Sequence, residues 1–210
     1  MPLIAKDKSS QSSFTPVPPG MHLARCFRVI DLGTQTTVWM GKEKHLEKVL
    51  IQFEIHSEDN EGRPLLTAAG EPLSISKRYT NVLSDNSTLT EDLGSWRGGP
   101  LTKPERKNFD LERLLGVWAM LNVIESQGQD GNTYTNIETI NPVPAQVKKA
   151  GLPEAHNETL LYSIQDSSPA DFAKLSENLQ KTIQKSPEWQ AKYGGKSHGG
   201  FTDDSLDDVF

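Results

Sequence analysis

A chain of 210 residues has room for one domain of about 150 residues with appendages, or for two very small ones, and none for a multidomain enzyme. Hydrophobic residues make up 35%, below the roughly 45–50% of globular chains, so part of the length is not core. A lone cysteine, Cys26, excludes an internal disulfide and any cysteine-rich metal centre. With no apolar run of about 18 residues and no secretory signal, the chain is expected to be soluble and to stay where it is made. The net charge of −6 at first opposes a nucleic-acid partner, but four aspartates and no cation fall in residues 203–210. The remainder is close to neutral, which leaves room for a local basic face.

Residues 1–20 end in FTPVPPG and, rich in Ser, Pro and Gly, read as an extended lead-in. From Met21, MHLARCFRVIDL is a strand whose faces, Leu23/Phe27/Val29 and Ala24/Cys26/Ile30, are both apolar, as in a long coiled or bulged strand. TVWMGKEKH reads as a loop. After it, HLEKVLIQFEIH sets Val49, Ile51, Phe53 and Ile55 on one face and Lys48, Gln52 and Glu54 on the other, a strand buried on one side. The turn-rich SEDNEGRP follows, and PLLTAAGEPLSISKRYT returns into a third strand through Ile75 and Tyr79. The period then changes: Leu89, Leu93 and Trp96 share a helical face, Ser87 can cap it, and Gly98 and Gly99 stop it. A second helical piece is FDLERLLG. VWAMLNVIES and TYTNIETIN flank GQDGN, whose Asp130-Gly131 pair supplies the positive φ of a tight hairpin.

Three strands, a helix and a hairpin predict a mainly β domain with α additions over residues 21–142. The arrangement suits a five-stranded barrel of the oligonucleotide-binding (OB) type with its helix between strands three and four. Residues 143–193 form an extension: a proline-punctuated stretch wrapping the barrel, then a helix capped by Ser168, opened by Pro169 and striped with Phe172, Leu175, Leu179 and Ile183. SPEWQAKYGG adds a turn or two. Residues 194–210 form a polar, acidic tail that cannot fold alone.

Catalytic motifs are missing. GGKS at Gly194–Ser197 copies the end of a phosphate-binding loop, but Gln190 stands where its first glycine belongs. The five histidines lack metal-ligand spacing, and Glu58, Asp59 and Glu61 read as a solvated turn. Glu105-Arg106-Lys107 after Pro104 reads as a helix start. The expectation is a non-enzyme with no catalytic residues, metal or cofactor. The alternatives are a small metal-dependent nuclease using Glu105, or an adaptor whose barrel binds protein.

Single-stranded DNA is held by cations on phosphates and flat side chains on splayed bases. The candidate binding set is Arg25 and Arg28 on the first strand, then Trp39, Lys42 and Lys44 in the loop. Lys48 on the second strand, Lys77, Arg78 and Tyr79 on the third, and Tyr134 beside the last hairpin turn complete it. Trp96 and Trp118 read as structural. In the tail, Asp203, Asp204, Asp207 and Asp208 precede Val209 and Phe210: a terminal aromatic anchor among carboxylates, suited to an apolar pocket with a basic rim on a partner protein. The same charges would compete with DNA for a basic face.

The segments LARCFRVIDLGTQT, LSISKRYT, STLTEDLGSWRGG, LLGVWAMLNV and GNTYTNIETINPVP resemble the single-stranded DNA-binding proteins encoded beside replication and recombination genes in tailed bacteriophages. The likeness spans about residues 1–155. It implies an OB-fold core, coating and protection of single-stranded DNA in phage replication, recombination and repair, and residence in the cytoplasm of an infected bacterium. The tail is similar to the acidic tip by which bacterial single-stranded DNA-binding proteins recruit replication and recombination partners, with Val209 where those have proline. No membrane partner is implied, and a homo-oligomer is open.

Overall fold

The computed structural model describes residues 15–128 and 131–194. Along it run six strands and six α-helices, with a 3-10 turn at Leu111–Leu114: β1 (Gly20–Trp39), β2 (Lys42–Ile55), β3 (Ser74–Thr80), α1 (Thr88–Arg97), α2 (Lys103–Lys107), β4 (Trp118–Gln127), β5 (Thr133–Asn141), α3 (Ala145–Ala150), β6 (Leu160–Tyr162), α4 (Pro169–Ala173), α5 (Glu177–Gln184) and α6 (Pro187–Tyr193). The chain divides into two compact units. One holds the residues up to Ile30 with Val49–Leu161, the other Asp31–Lys48 with the chain from Tyr162 onward.

The strand order is β3-β2-β1-β4-β5, with β6 on β1. This is a mainly β architecture with the helix α1 between the third and fourth strands. The barrel is not closed, however: β3 and β5 are the two ends of an open sheet. Between β4 and β5 the register passes from Asn122↔Thr139 to Val123↔Ile137, which makes Glu138 a bulged residue. Its carbonyl accepts from Lys77 Nζ on β3 at 3.3 Å, so a side chain crosses the seam there. Further along, Ser74–Ser76 and Thr133–Thr135 flank a cleft of about 490 Å³. Val17 also lines it and is buried, so the end of the lead-in is part of the core.

The first unit's core is built as the alternation predicts. Val49, Ile51, Phe53 and Ile55 are buried with Leu121, Val123, Ile137 and Ile140. Helix α1 delivers Leu89, Leu93 and Trp96 into it. Ser87 accepts from the Thr90 amide, and Gly98, at φ 81°, ends the helix in the left-handed conformation a side chain would resist. Trp96 packs on Phe53 with ring centroids 5.3 Å apart and donates Nε1 to the Trp118 carbonyl at 3.0 Å.

Three other expectations change. TVWMGKEKH is no loop: β1 runs to Trp39, β2 starts at Lys42, and only Met40 and Gly41 make the turn. Their φ angles of 50° and 73° are those of a two-residue hairpin, whose twist matches the strands it joins. From Val49 to Ile55 the second strand is buried on both faces, Leu50 and Glu54 included. The single helix expected from Ser168 is two, α4 and α5, because the chain turns at Lys174–Ser176 before Ile183 is buried. Ser168 does cap α4, in a reciprocal box with Asp171.

In the second unit, Asp31 accepts from the amides of Gly33 at 2.8 Å and Ile164 at 3.2 Å, and Glu188 from the Thr34 amide at 2.9 Å. These bonds tie the far half of β1 to α6 and the chain before α4. Tyr162, Phe172, Trp189 and Tyr193 form a row with successive centroids 5.8, 5.8 and 5.1 Å apart.

Candidate nucleic-acid interface

The ten candidate residues separate by burial and by the bonds they already make. Arg25 is 8% exposed. Its Nη1 donates to Glu54 at 2.8 Å and to the Asn157 carbonyl at 3.0 Å, so its charge is committed inside the first unit. Glu54, read from sequence as a solvent-facing residue, is 0% exposed. It also accepts from His56 Nε2 at 3.0 Å, the His156 amide at 3.3 Å, and the Asn157 amide and Nδ2 at 2.8 and 2.6 Å. Burial by itself would raise this carboxyl. Hydrogen bonds from Arg25, Asn157 and His56 outweigh it and hold the group at about 2. His56 packs against Trp118 in a tilted pair with ring centroids 4.9 Å apart, a structural place for that tryptophan.

Arg28 is part-buried over the Phe27 ring, 5.1 Å from its centroid, and burial lowers its pKa. Its Nε is buried without a hydrogen-bond partner among the described residues. Cys26 beside it is buried, which pushes its thiol up to about 12 and removes it from nucleophilic chemistry.

On β3 the alternation turns Ile75, Lys77 and Tyr79 toward the core side and leaves Arg78 exposed. Tyr79 is buried, and its hydroxyl donates to Asp92 Oδ2 at 2.7 Å; burial first, then Asp92, raises its pKa. Lys77 Nζ reaches the same oxygen at 2.6 Å and lies 5.7 Å from the Tyr79 ring centre. Lys77 and Tyr79 are thus brought together around one carboxylate on α1, where both already have partners.

Tyr134 is 49% exposed and lines the seam cleft with Gln52, Ser74, Ser76, Thr133 and Thr135. Gln52 Nε2 donates to Ser74 Oγ at 3.2 Å, while its Oε1 is buried without a partner among the described residues. An aromatic ring beside serine and threonine hydroxyls can take a flat ligand with a polar edge. Trp39, Lys42, Lys44 and Lys48 belong to the second unit's hairpin. Lys42 and Lys44 are exposed and Lys48 part-buried. Thr37 Oγ1 donates to the Lys44 carbonyl at 3.4 Å, and Thr36 Oγ1 bonds His45 Nδ1 at 3.0 Å, which hold the two arms side by side.

Asp203, Asp204, Asp207, Asp208, Val209 and Phe210 lie outside the described residues, as does most of GGKS. Glu105, the residue a nuclease reading would use, closes a capping box with Thr102 and accepts from Arg97 at 2.8 Å. The Thr102 amide above all, then Arg97, holds its carboxyl at about 2. No group of three metal-capable side chains occurs among the described residues. No helix among them is long and apolar enough to cross a membrane.

What sequence reasoning missed is the Arg25–Glu54–Asn157 network. A signal was present: Glu54 stands between Phe53 and Ile55 in a strand that also carries Leu50 on its polar face. Compared with models of protein families and with curated proteins, the chain matches none.

Proposed function

We propose that this protein binds single-stranded DNA without catalysis, through an open module of OB type. The observation that carries the reading is the strand plan. A helix joins the third strand to the fourth, and the third and fifth strands face each other across a seam, as in the partly open OB barrel whose second and third strands and whose turns between strands one and two and strands four and five hold oligonucleotides. Each unit carries suitable groups by itself: Lys42 and Lys44 after the β1–β2 turn in the second, Tyr134 after the β4–β5 turn in the first. Arg78 adds an exposed cation on β3. Cations of this kind neutralise phosphates, and the ring stacks on a base at about 1–3 kcal/mol. Arg25, Lys77 and Tyr79 support these elements from inside.

In phage replication or recombination such a module would coat and protect the exposed strand, and the segment Asp203–Phe210 would recruit partner proteins through its carboxylates and terminal ring. The test is a titration with oligo-dT and with duplex DNA of equal length at two salt concentrations. The reading expects tryptophan quenching and a mobility shift with the single strand, weakened by salt. Unchanged emission and mobility at low salt reject it, and magnesium-dependent degradation of DNA that disappears in Glu105→Ala replaces it with the nuclease reading.

A further inference from the structure

Met40 is the only non-glycine residue with positive φ among the described residues. It occupies the first central position of a two-residue turn, where asparagine or glycine takes φ of 50° with little strain and an unbranched apolar side chain does not. It is also 88% exposed, and Val38 just before it is 68% exposed; these are the two most exposed large hydrophobic side chains among the described residues. An Asn-Gly turn would remove the backbone strain and the bare thioether of Met40 together. Lys42 and Lys44 follow at once, exposed and on one face of β2 by its alternation. Apolar side chains at a projecting tip, with cations two and four residues on, match the alternation of flat base and phosphate along a single strand.

We propose that the tip of the β1–β2 hairpin is a stacking wedge for single-stranded nucleic acid: the Met40 thioether and the Val38 methyl groups lie against unstacked bases, and Lys42 and Lys44 meet the flanking phosphates. A polarizable, unbranched thioether adapts to either face of any base, which gives contact without sequence preference. This rests on the single-strand reading above and names the contact through which it operates.

The experiment compares the full chain with Met40→Asn and Met40→Leu, using fluorescent oligo-dT and thermal melting. Met40→Asn relieves the turn, so Tm rises by about 2 °C while oligo-dT affinity falls about tenfold; Met40→Leu keeps most of the affinity. In parallel, dilute peroxide is applied with and without oligo-dT: the bound strand slows sulfoxide formation at Met40, while Met21, 55% exposed in the other unit, oxidises at an unchanged rate. Met40→Asn binding as tightly as the parent, or Met40 oxidising equally fast with and without DNA, overturns the wedge while leaving the single-strand reading standing. A parent chain that binds no oligo-dT overturns both.

Discussion

Glu54 is the residue on which the first unit's polar interior depends. Its carboxylate neutralises a buried guanidinium and accepts from backbone amides more than a hundred positions later in the chain. Removing the charge leaves Arg25 buried and unbalanced, so Glu54→Gln should cost about 3 kcal/mol of stability, read from urea unfolding at pH 7. The pH dependence has a definite sign. The folded carboxyl sits at about 2, below its ordinary value of 4.5, so its contribution is complete above 4.5 and is lost as pH falls toward 2. Over that window the parent should lose about 3 kcal/mol that Glu54→Gln does not lose. Parallel acid profiles for the two proteins would show that Glu54 is not the titrating group. The residue scale also separates cations that hold the fold from cations that can hold a ligand. Arg25 and Lys77 are closed in by Glu54 and Asp92, whereas Arg78, Lys42 and Lys44 are exposed.

At the scale of elements, the far half of β1 is held by close packing inside the second unit. Gly33 has φ of 66°, and a Cβ there would lie 2.6 Å from the Ser186 side chain and 2.8 Å from Ile164 Cδ1. Gly33→Ala therefore combines backbone strain with a clash and should cost about 2 kcal/mol, seen as a lower Tm and faster proteolysis after α4, with cleavage in β4 and β5 unchanged. Uniform proteolysis along the chain would mean that the two units do not unfold separately. The bulge at Glu138 is the other decisive element. It aims a carbonyl at Lys77, so a side chain bridges the seam at that point, and Tyr134 and Gln52 line the cleft further along it.

For the whole molecule, binding to a polyanion is a salt-dependent quantity. Each phosphate contact on a single strand adds about 0.7 to the slope of log K against log salt, so the double variant Lys42→Gln, Lys44→Gln should lower that slope by about 1.4 in an oligo-dT titration. An unchanged slope would place the phosphates elsewhere. Deleting 202–210 removes four aspartates and should preserve or tighten oligo-dT binding while abolishing capture of replication partners; a truncated chain that loses DNA affinity would contradict the competition between tail and strand.

Much of this protein was legible in its sequence, because local rules act over a few residues. The period-2 run from Val49 to Ile55, the Ser87 cap and Gly98 stop of α1, and the paired strands about Asp130-Gly131 needed no knowledge of distant contacts. That most of the net negative charge sits in the last eight residues was equally plain. What only the tertiary structure decided depends on partners far along the chain. Glu54 reads as a surface residue until Asn157 covers it, and the break between α4 and α5 shows only where Ile183 is buried. The open sheet is also a tertiary outcome: β3 and β5 end its strand order, and at their seam a Lys77 side chain, not a backbone ladder, reaches the Glu138 carbonyl. Alternation tells which residues share a face of a strand; what comes to lie against that face is settled by the rest of the chain, and with it which charges are neutralised inside and which remain to meet a ligand.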